Sequence, residues 1–280
     1  MNDFVIMNKV LIEYIGEDSQ IVIPNGVRVI AEGAFASKKQ ITSVIIPDSV
    51  QHIHDTAFWA CHKLENVTMG KGLISIGVQA FAMCSSLKQI SIGESVRHIQ
   101  AHAFHECRNL EVVKIPASVN QIDDAVFELC ESLTNIEVSA DNKYYCSIDG
   151  NLYNKDQTTL IRYALGKQDK VFVLPNSVTK LEESVFANCS NLKNVILHNG
   201  ISILPNYTFY GCVNLVEFSV PESVKEIGDF VFWACNNLEK VFLTSNINSI
   251  GDKVFGLCNK VEILAPEGSY ADNYCKKLFS

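Results

Sequence analysis

VIIPDSVQHIHDTAFWACHKLEN, residues 44–66, places its apolar residues at positions that recur along the chain at a step of 23. Its Phe58 belongs to a column of Phe35, Phe81, Phe104 and Phe127, continued by Phe186, Phe209, Phe232 and Phe255. Its Cys61 belongs with Cys84, Cys107 and Cys130, then Cys189, Cys212, Cys235 and Cys258. Aliphatic columns pass through Val50 (Val27, Leu73, Val96, Val119, then Val178, Ile201, Val224, Ile247) and Ile53 (Ile30, Ile76, Ile99, Ile122, then Leu181, Leu204, Ile227, Ile250). A further column passes through Leu64, Leu87, Leu110 and Leu133. A unit this short cannot bury its apolar face alone and gains a core only by stacking on its neighbours.

A period near 20–29 residues with recurring aliphatics is the signature of a leucine-rich-repeat solenoid. The residues VIIP and VQHIH alternate or run β-branched, which predicts short strands paired in parallel from unit to unit. Pro47, Pro116, Pro175 and Pro221 end the first strand at one fixed place, where no ladder N–H is needed. The AFxxCxxL stretch spaces its apolar residues by three, as a turn or short helical segment facing inward would. The expected fold class is therefore a mainly β repeat solenoid of 23-residue units, with short parallel strands and short helical turns.

The rhythm breaks once. Ser139 falls where the next proline-equivalent is due, but the one after it is Pro175, a step of 36. The extra chain lies in NKYYCSIDGNLYNKDQTTLIRYALGK (142–167), where DG (149–150) and KDQT (155–158) are turn signals between β-rich runs; it predicts a hairpin. VLIEYIGEDSQIVIP (10–24) echoes TLIRYALGKQDKVFVLP (159–175), so the first copy is expected to cap the open edge of the stack. LAPEGSYADNYCKKLF (264–279) leaves the repeat and predicts a closing helix. These features divide the chain into an N-terminal capping segment (1–20), solenoid units (21–138), a long unit with the hairpin insertion (139–174), further units (175–263) and a C-terminal cap (264–280). All are expected to form one continuous domain.

The unit IPxSVxxIxxxAFxxCxxL, the IDGNLYNKD segment (148–156) and the terminal APEGSYADNYCKK (265–277) closely resemble BspA-like leucine-rich repeat proteins. The resemblance spans nearly the whole chain. It implies a non-catalytic surface protein of host-associated bacteria or protozoa, commonly involved in adhesion, and it brings no catalytic residues. Members usually carry an export signal. The N-terminus here, MNDFVIMNKVLIEYIGED, lacks a cationic start, apolar block and cleavage site, so localisation stays open between a cytoplasmic protein and a mature exported fragment.

Composition excludes other classes. The net charge is −8, with no Lys/Arg runs, which disfavours nucleic acid as a partner. No apolar stretch approaches the ~20 residues of a membrane span. No Ser/His/Asp triad, P-loop, dinucleotide fingerprint or HExxH motif appears, so neither enzyme activity nor a cofactor is expected.

HIQAHAFHEC (98–107) suggests a metal site, but Ile99, Phe104 and Cys107 are core columns and the three histidines occupy variable slots. No metal site is expected, and a metal-dependent protein using these surface histidines is the distant alternative. The cysteine ladder reads as one small buried residue per unit rather than a disulfide framework or zinc site. Cys146 and Cys275 lie outside it and are the expected reactive thiols. Glu32, Asp55, Asp124, Glu183, Asp229 and Asp252 share one register before the AF turn. Capping of that turn's N–H groups is their expected role, against a cation-binding stripe.

The best candidate for binding is aromatic. Tyr207 and Tyr210 flank the inward Phe209, and Phe230 and Trp233 repeat the same two columns one unit later. Stacking should bring these four rings together on the surface, as an interaction patch for a partner or for self-association. The expected function is a protein- or glycan-binding repeat scaffold, in adhesion or host interaction. The alternative is an intracellular protein-interaction module.

Overall fold

The structure, a computed structural model, describes residues 3–278; Met1, Asn2, Phe279 and Ser280, at the ends of the two expected caps, lie outside the described residues. The chain falls into two compact units, residues 1–150 and 151–280.

The first unit opens with an antiparallel hairpin of Phe4–Met7 and Val10–Tyr14. Its turn residues Asn8 and Lys9 both take positive φ, 50° and 67°, as a two-residue hairpin turn requires. Val10–Tyr14 then pairs in parallel with Val29–Ile30 and starts a ladder through His52–Ile53, Ser75–Ile76, His98–Ile99 and Gln121–Ile122. A second set of ladders joins Gln20–Val22, Ser43–Ile45 and Asn66–Thr68, then Gln89–Ser91, Val112–Ile115 and Asn135–Val138. The hairpin strand joins Val29–Ile30 at an offset of 19, Leu11 facing Ile30; every later step pairs a residue with its equivalent 23 positions on, such as Ile30 with Ile53 and Val44 with Val67. A slip of one residue would turn each buried aliphatic outward, so burial enforces the register.

Between the ladders runs the Phe column. Phe35, Phe58, Phe81 and Phe104 are fully buried, with successive ring centroids 4.8, 5.0 and 5.5 Å apart. That spacing follows the strand-to-strand distance of about 4.8 Å and lies within the range of favourable offset stacking. Tyr14 ends the column, stacked on Phe35 at 5.4 Å.

The second unit begins in the same way. Asn151–Asn154 and Thr159–Arg162 form an antiparallel hairpin whose second strand pairs in parallel with Lys180–Leu181. Tyr163 takes the place of Tyr14, with its ring 5.6 Å from Phe186, and the column continues through Phe209, Phe232 and Phe255 at 5.3–5.5 Å. The echo between residues 10–24 and 159–175 thus marks a hairpin strand that recurs in both units. Helix Tyr270–Leu278 closes the unit; Ser269 caps it by accepting from the Asp272 N–H, and Asp272 accepts in turn from Gly268.

The AFxxCxxL stretch adopts the turn form of its expectation. Residues three apart are bonded, as in Trp59 N–H to Thr56 O and His105 N–H to His102 O. Alternate residues also donate to the next unit: Gly33, Phe35 and Ser37 to the carbonyls of Asp55, Ala57 and Trp59, at 2.7–3.1 Å. The turns therefore form a further inter-unit ladder, which satisfies backbone groups that stacking would otherwise bury unpaired.

Cysteine has a role in this ladder that its size alone does not explain. Cys61, Cys84, Cys107 and Cys130 each donate their thiol to the carbonyl of the Phe one unit earlier, at 3.1–3.3 Å. Cys212, Cys235 and Cys258 do the same in the second unit. Burial pushes the Cys61 thiol up to about 12 and Cys84 and Cys107 well above the ordinary range, so these groups stay protonated donors.

Candidate functional site

The turn ladder imposes a conformation that decides which side chains are displayed. Thr56, Gln79, His102 and Ala125 in the first unit, and Ser184, Tyr207, Phe230 and Lys253 in the second, all have φ between 52° and 56°, or 57° for Tyr207. This is the left-handed region, which costs a residue with a Cβ about 1–2 kcal/mol. The N–H groups of Thr56, Gln79, His102, Ser184, Tyr207 and Phe230 are each held by a carbonyl of the next unit, as Tyr207 is by Asp229 and Phe230 by Asp252. The position three residues on carries a second displayed side chain: Trp59, His105, Glu128, Tyr210 and Trp233.

In the second unit these two positions hold the four predicted aromatics, and the structure brings the rings together. Tyr207 stacks on Phe230 with centroids 5.2 Å apart and planes within 3°. Tyr210 meets Tyr207 edge-on at 5.9 Å, and Trp233 meets Phe230 edge-on at 5.6 Å. Lys253, next in the column, places its ammonium 5.8 Å from the Phe230 ring centroid. Trp233 lies flat against Gly256, where a Cβ would come within 2.0 Å of the indole. Tyr207 is 37 % exposed and the other three rings are half-buried. The result is a small apolar ridge, rigidified by its own ring contacts. Trp59, in the first unit, lies between the small residues Ala36 and Ala82 of its column.

The other sequence candidates take different places. Acidic residues do cap, but they serve the following unit: Asp55 accepts from Val78 N–H and Asp229 from Asp252 N–H. Asn206 fills the same role toward Asp229. Gly77, Gly228 and Gly251 leave room for these side chains, since a Cβ there would lie 2.4–2.7 Å from the capping oxygens. The outward sheet face carries a shallow depression of about 510 Å³ lined by Glu65, Asn66, Lys88, Gln89, Glu111 and Val112, a mixed polar surface.

Among thiols, Cys258 joins Cys146 and Cys275 in partial exposure. The neighbouring Cys235 thiol lowers Cys258 below the ordinary thiol range, while burial raises Cys275. Alkylation of the native chain is expected at Cys258 well before Cys107, and peptide mapping of the labelled protein checks this; equal labelling of the two would contradict it.

His98, His102 and His105 do not converge as a trio. His98 Nε2 bonds Asp123 at 2.9 Å, and Cys107 points inward to Phe81 O. His102 and His105 instead face Glu128, a residue absent from the ten-residue motif. The signal for it lay one period away, since Glu128 is the column neighbour of His105.

A sequence model described as a BspA type leucine rich repeat region, in 6 copies, matches residues 13–141 and 166–277. No curated protein matches the chain. Among solved structures, a leucine-rich repeat protein from Eubacterium ventriosum is similar at 24% identity and a TM-score of 0.77, over 92% of this chain and 78% of that one. A leucine rich cell surface protein from Faecalibacterium prausnitzii shows 24% identity and a TM-score of 0.57, over 97% and 94%. The pneumococcal vaccine antigen PcpA shows 22% identity and a TM-score of 0.68, over 96% and 87%. At these identities the likeness is one of fold.

Proposed function

This chain belongs to the BspA-type leucine-rich repeat family, and from that premise we propose that it is a non-catalytic scaffold binding a protein partner through the Tyr207–Tyr210–Phe230–Trp233 ridge. The observation that carries the reading is the ridge itself: four part-exposed rings preorganised by mutual contacts, so that little side-chain entropy is lost on binding. Aromatic residues of this kind dominate interface energetics.

The ring geometry favours a protein over a glycan. A sugar ring stacks on a free aromatic face, but Tyr207 and Phe230 cover one another, Lys253 sits over Phe230, and Trp233 lies on Gly256. The ridge also presents ring edges and the Tyr hydroxyls, which suit an apolar, hydrogen-bonding protein surface. We place the encounter at the cell surface, in adhesion or host interaction. The support is the likeness in fold to a leucine rich cell surface protein and to a vaccine antigen. No helix among the described residues is long and apolar enough to cross a membrane.

Trp233→Ala is expected to weaken partner binding by about 2 kcal/mol, roughly 30-fold, while the chain keeps its fold. The checks are affinity capture of surface partners from intact cells, then titration of the captured protein against both forms. Unchanged affinity would move the interface to the sheet face. Competition by free glycans but not by the captured protein would reinstate the glycan reading.

A further inference from the structure

We propose that His102, His105 and Glu128 form a binding site for a divalent transition ion of the zinc class, bridging two successive repeats. The argument starts from backbone. His105 N–H bonds His102 O at 2.9 Å, fixing the two imidazoles on one turn. Glu106 N–H bonds Glu128 O at 2.9 Å, which locks that turn to the next repeat and sets Glu128 beside it. One oxygen of Glu128, Oε2, then lies 3.5 Å from His102 Nδ1 and 3.3 Å from His105 Nδ1. One ligand atom from each of the three residues falls within 4.8 Å of the others.

The two nitrogen–oxygen separations are close to the edges of a coordination tetrahedron. With metal–ligand bonds of about 2.0–2.1 Å, neighbouring ligand atoms stand about 3.3–3.4 Å apart. Both Nδ1 atoms are also buried and without a hydrogen-bond partner, although each faces the carboxylate. A cation at the cluster would take a lone pair from both nitrogens and satisfy them together. Glu106 Oε1 lies 3.8 Å from the opposite nitrogen of His105, Nε2, and adds negative potential on the far side of the ring. Arg108 stands 3.5 Å from the other Glu106 oxygen. The rings meet edge-to-face, 5.3 Å apart at 87°, so the lone pairs approach from different directions. Two nitrogens and one carboxylate suit zinc rather than calcium or magnesium, which take oxygen donors. The side chain of His102 is 39 % exposed, leaving the fourth position to water. An ion held by residues of two repeats acts as a staple between them.

Zinc titrated calorimetrically into the full chain, prepared without a histidine tag, is expected to bind at one equivalent and to raise the melting temperature. Glu128→Gln and His105→Ala should each weaken binding at least about tenfold, whereas His98→Ala should leave it unchanged. Cobalt substituted into the unaltered chain should give the spectrum of a four-coordinate ion, a readout independent of whether any variant folds. Absence of zinc uptake, uptake insensitive to Glu128→Gln and His105→Ala, or a six-coordinate cobalt spectrum overturns the proposal.

Discussion

Phe104→Ala should destabilise the chain by about 3–5 kcal/mol and lower its melting temperature by roughly 10 °C. The ring is fully buried and stacks on both Phe81 and Phe127, at 5.5 and 5.8 Å. Its loss therefore opens a cavity at the centre of a column and removes two ring contacts together. The neighbouring repeats cannot collapse into the gap, because their spacing is set by the parallel ladders on either side. His98→Ala and His102→Ala are the comparison. His98 loses only a part-exposed bond to Asp123, worth at most about 1 kcal/mol. Thermal unfolding of the three variants, in metal-free buffer, tests the ranking, and equal melting temperatures would overturn it.

Asn142→Leu should be nearly as damaging, at about 3–5 kcal/mol, although it replaces a polar residue by an apolar one in a buried site. Asn142 stands where the column of Val50, Val96 and Val119 continues, and it is 1 % exposed. Its amide nitrogen donates to Pro116 O and Val119 O at 2.8 and 2.9 Å. Its carbonyl accepts from the N–H groups of Tyr144 and Tyr145 at 2.8 and 2.9 Å. Leucine matches the shape but answers none of these four groups, of which Pro116 O and Val119 O belong to buried residues, and each buried backbone group left unpaired costs about 1–3 kcal/mol. Asn142→Asp keeps the two acceptor bonds and loses the donors, so it should fall between. Urea unfolding of both variants checks the order; Leu equal to or better than the native residue would show that water replaces the amide.

Asn142 also shows where reading by columns stops. The hairpin insertion was legible from the step of 36, the DG turn and the echo of residues 10–24 in 159–175. The residue that allows the chain to leave the repeat was not, because a single Asn at a valine position reads as an ordinary exception. Its meaning depends on carbonyls 23 and 26 residues earlier. The cysteines are similar. Their inward placement followed from alignment with Phe, but the thiol-to-carbonyl bond to the previous unit required the stacked backbone.

The aromatic ridge was legible because the period says which residues are neighbours: Tyr207 above Phe230, Tyr210 above Trp233. The same rule applied to His105 leads to Glu128, a step that a reading confined to HIQAHAFHEC does not take. The caps of the acidic column were placed in their own turn for a related reason. Sequence proximity favours a local acceptor, whereas in the stack the nearest unpaired N–H belongs to the following repeat.

The sequence by itself determined the repeat, its register, the buried Phe, Cys and aliphatic columns and the two hairpins. Each of these follows from burial, and burial of a stacked unit is periodic. Only the tertiary structure decided the left-handed turns and what they display. At Thr56, Gln79, His102, Ser184, Tyr207 and Phe230 that conformation is held by N–H bonds to the next unit, so the column varies with no glycine pattern to announce it. A positive φ sustained by inter-repeat hydrogen bonds leaves the side chain free to vary. The surface of this protein is therefore written on positions whose geometry the sequence does not mark.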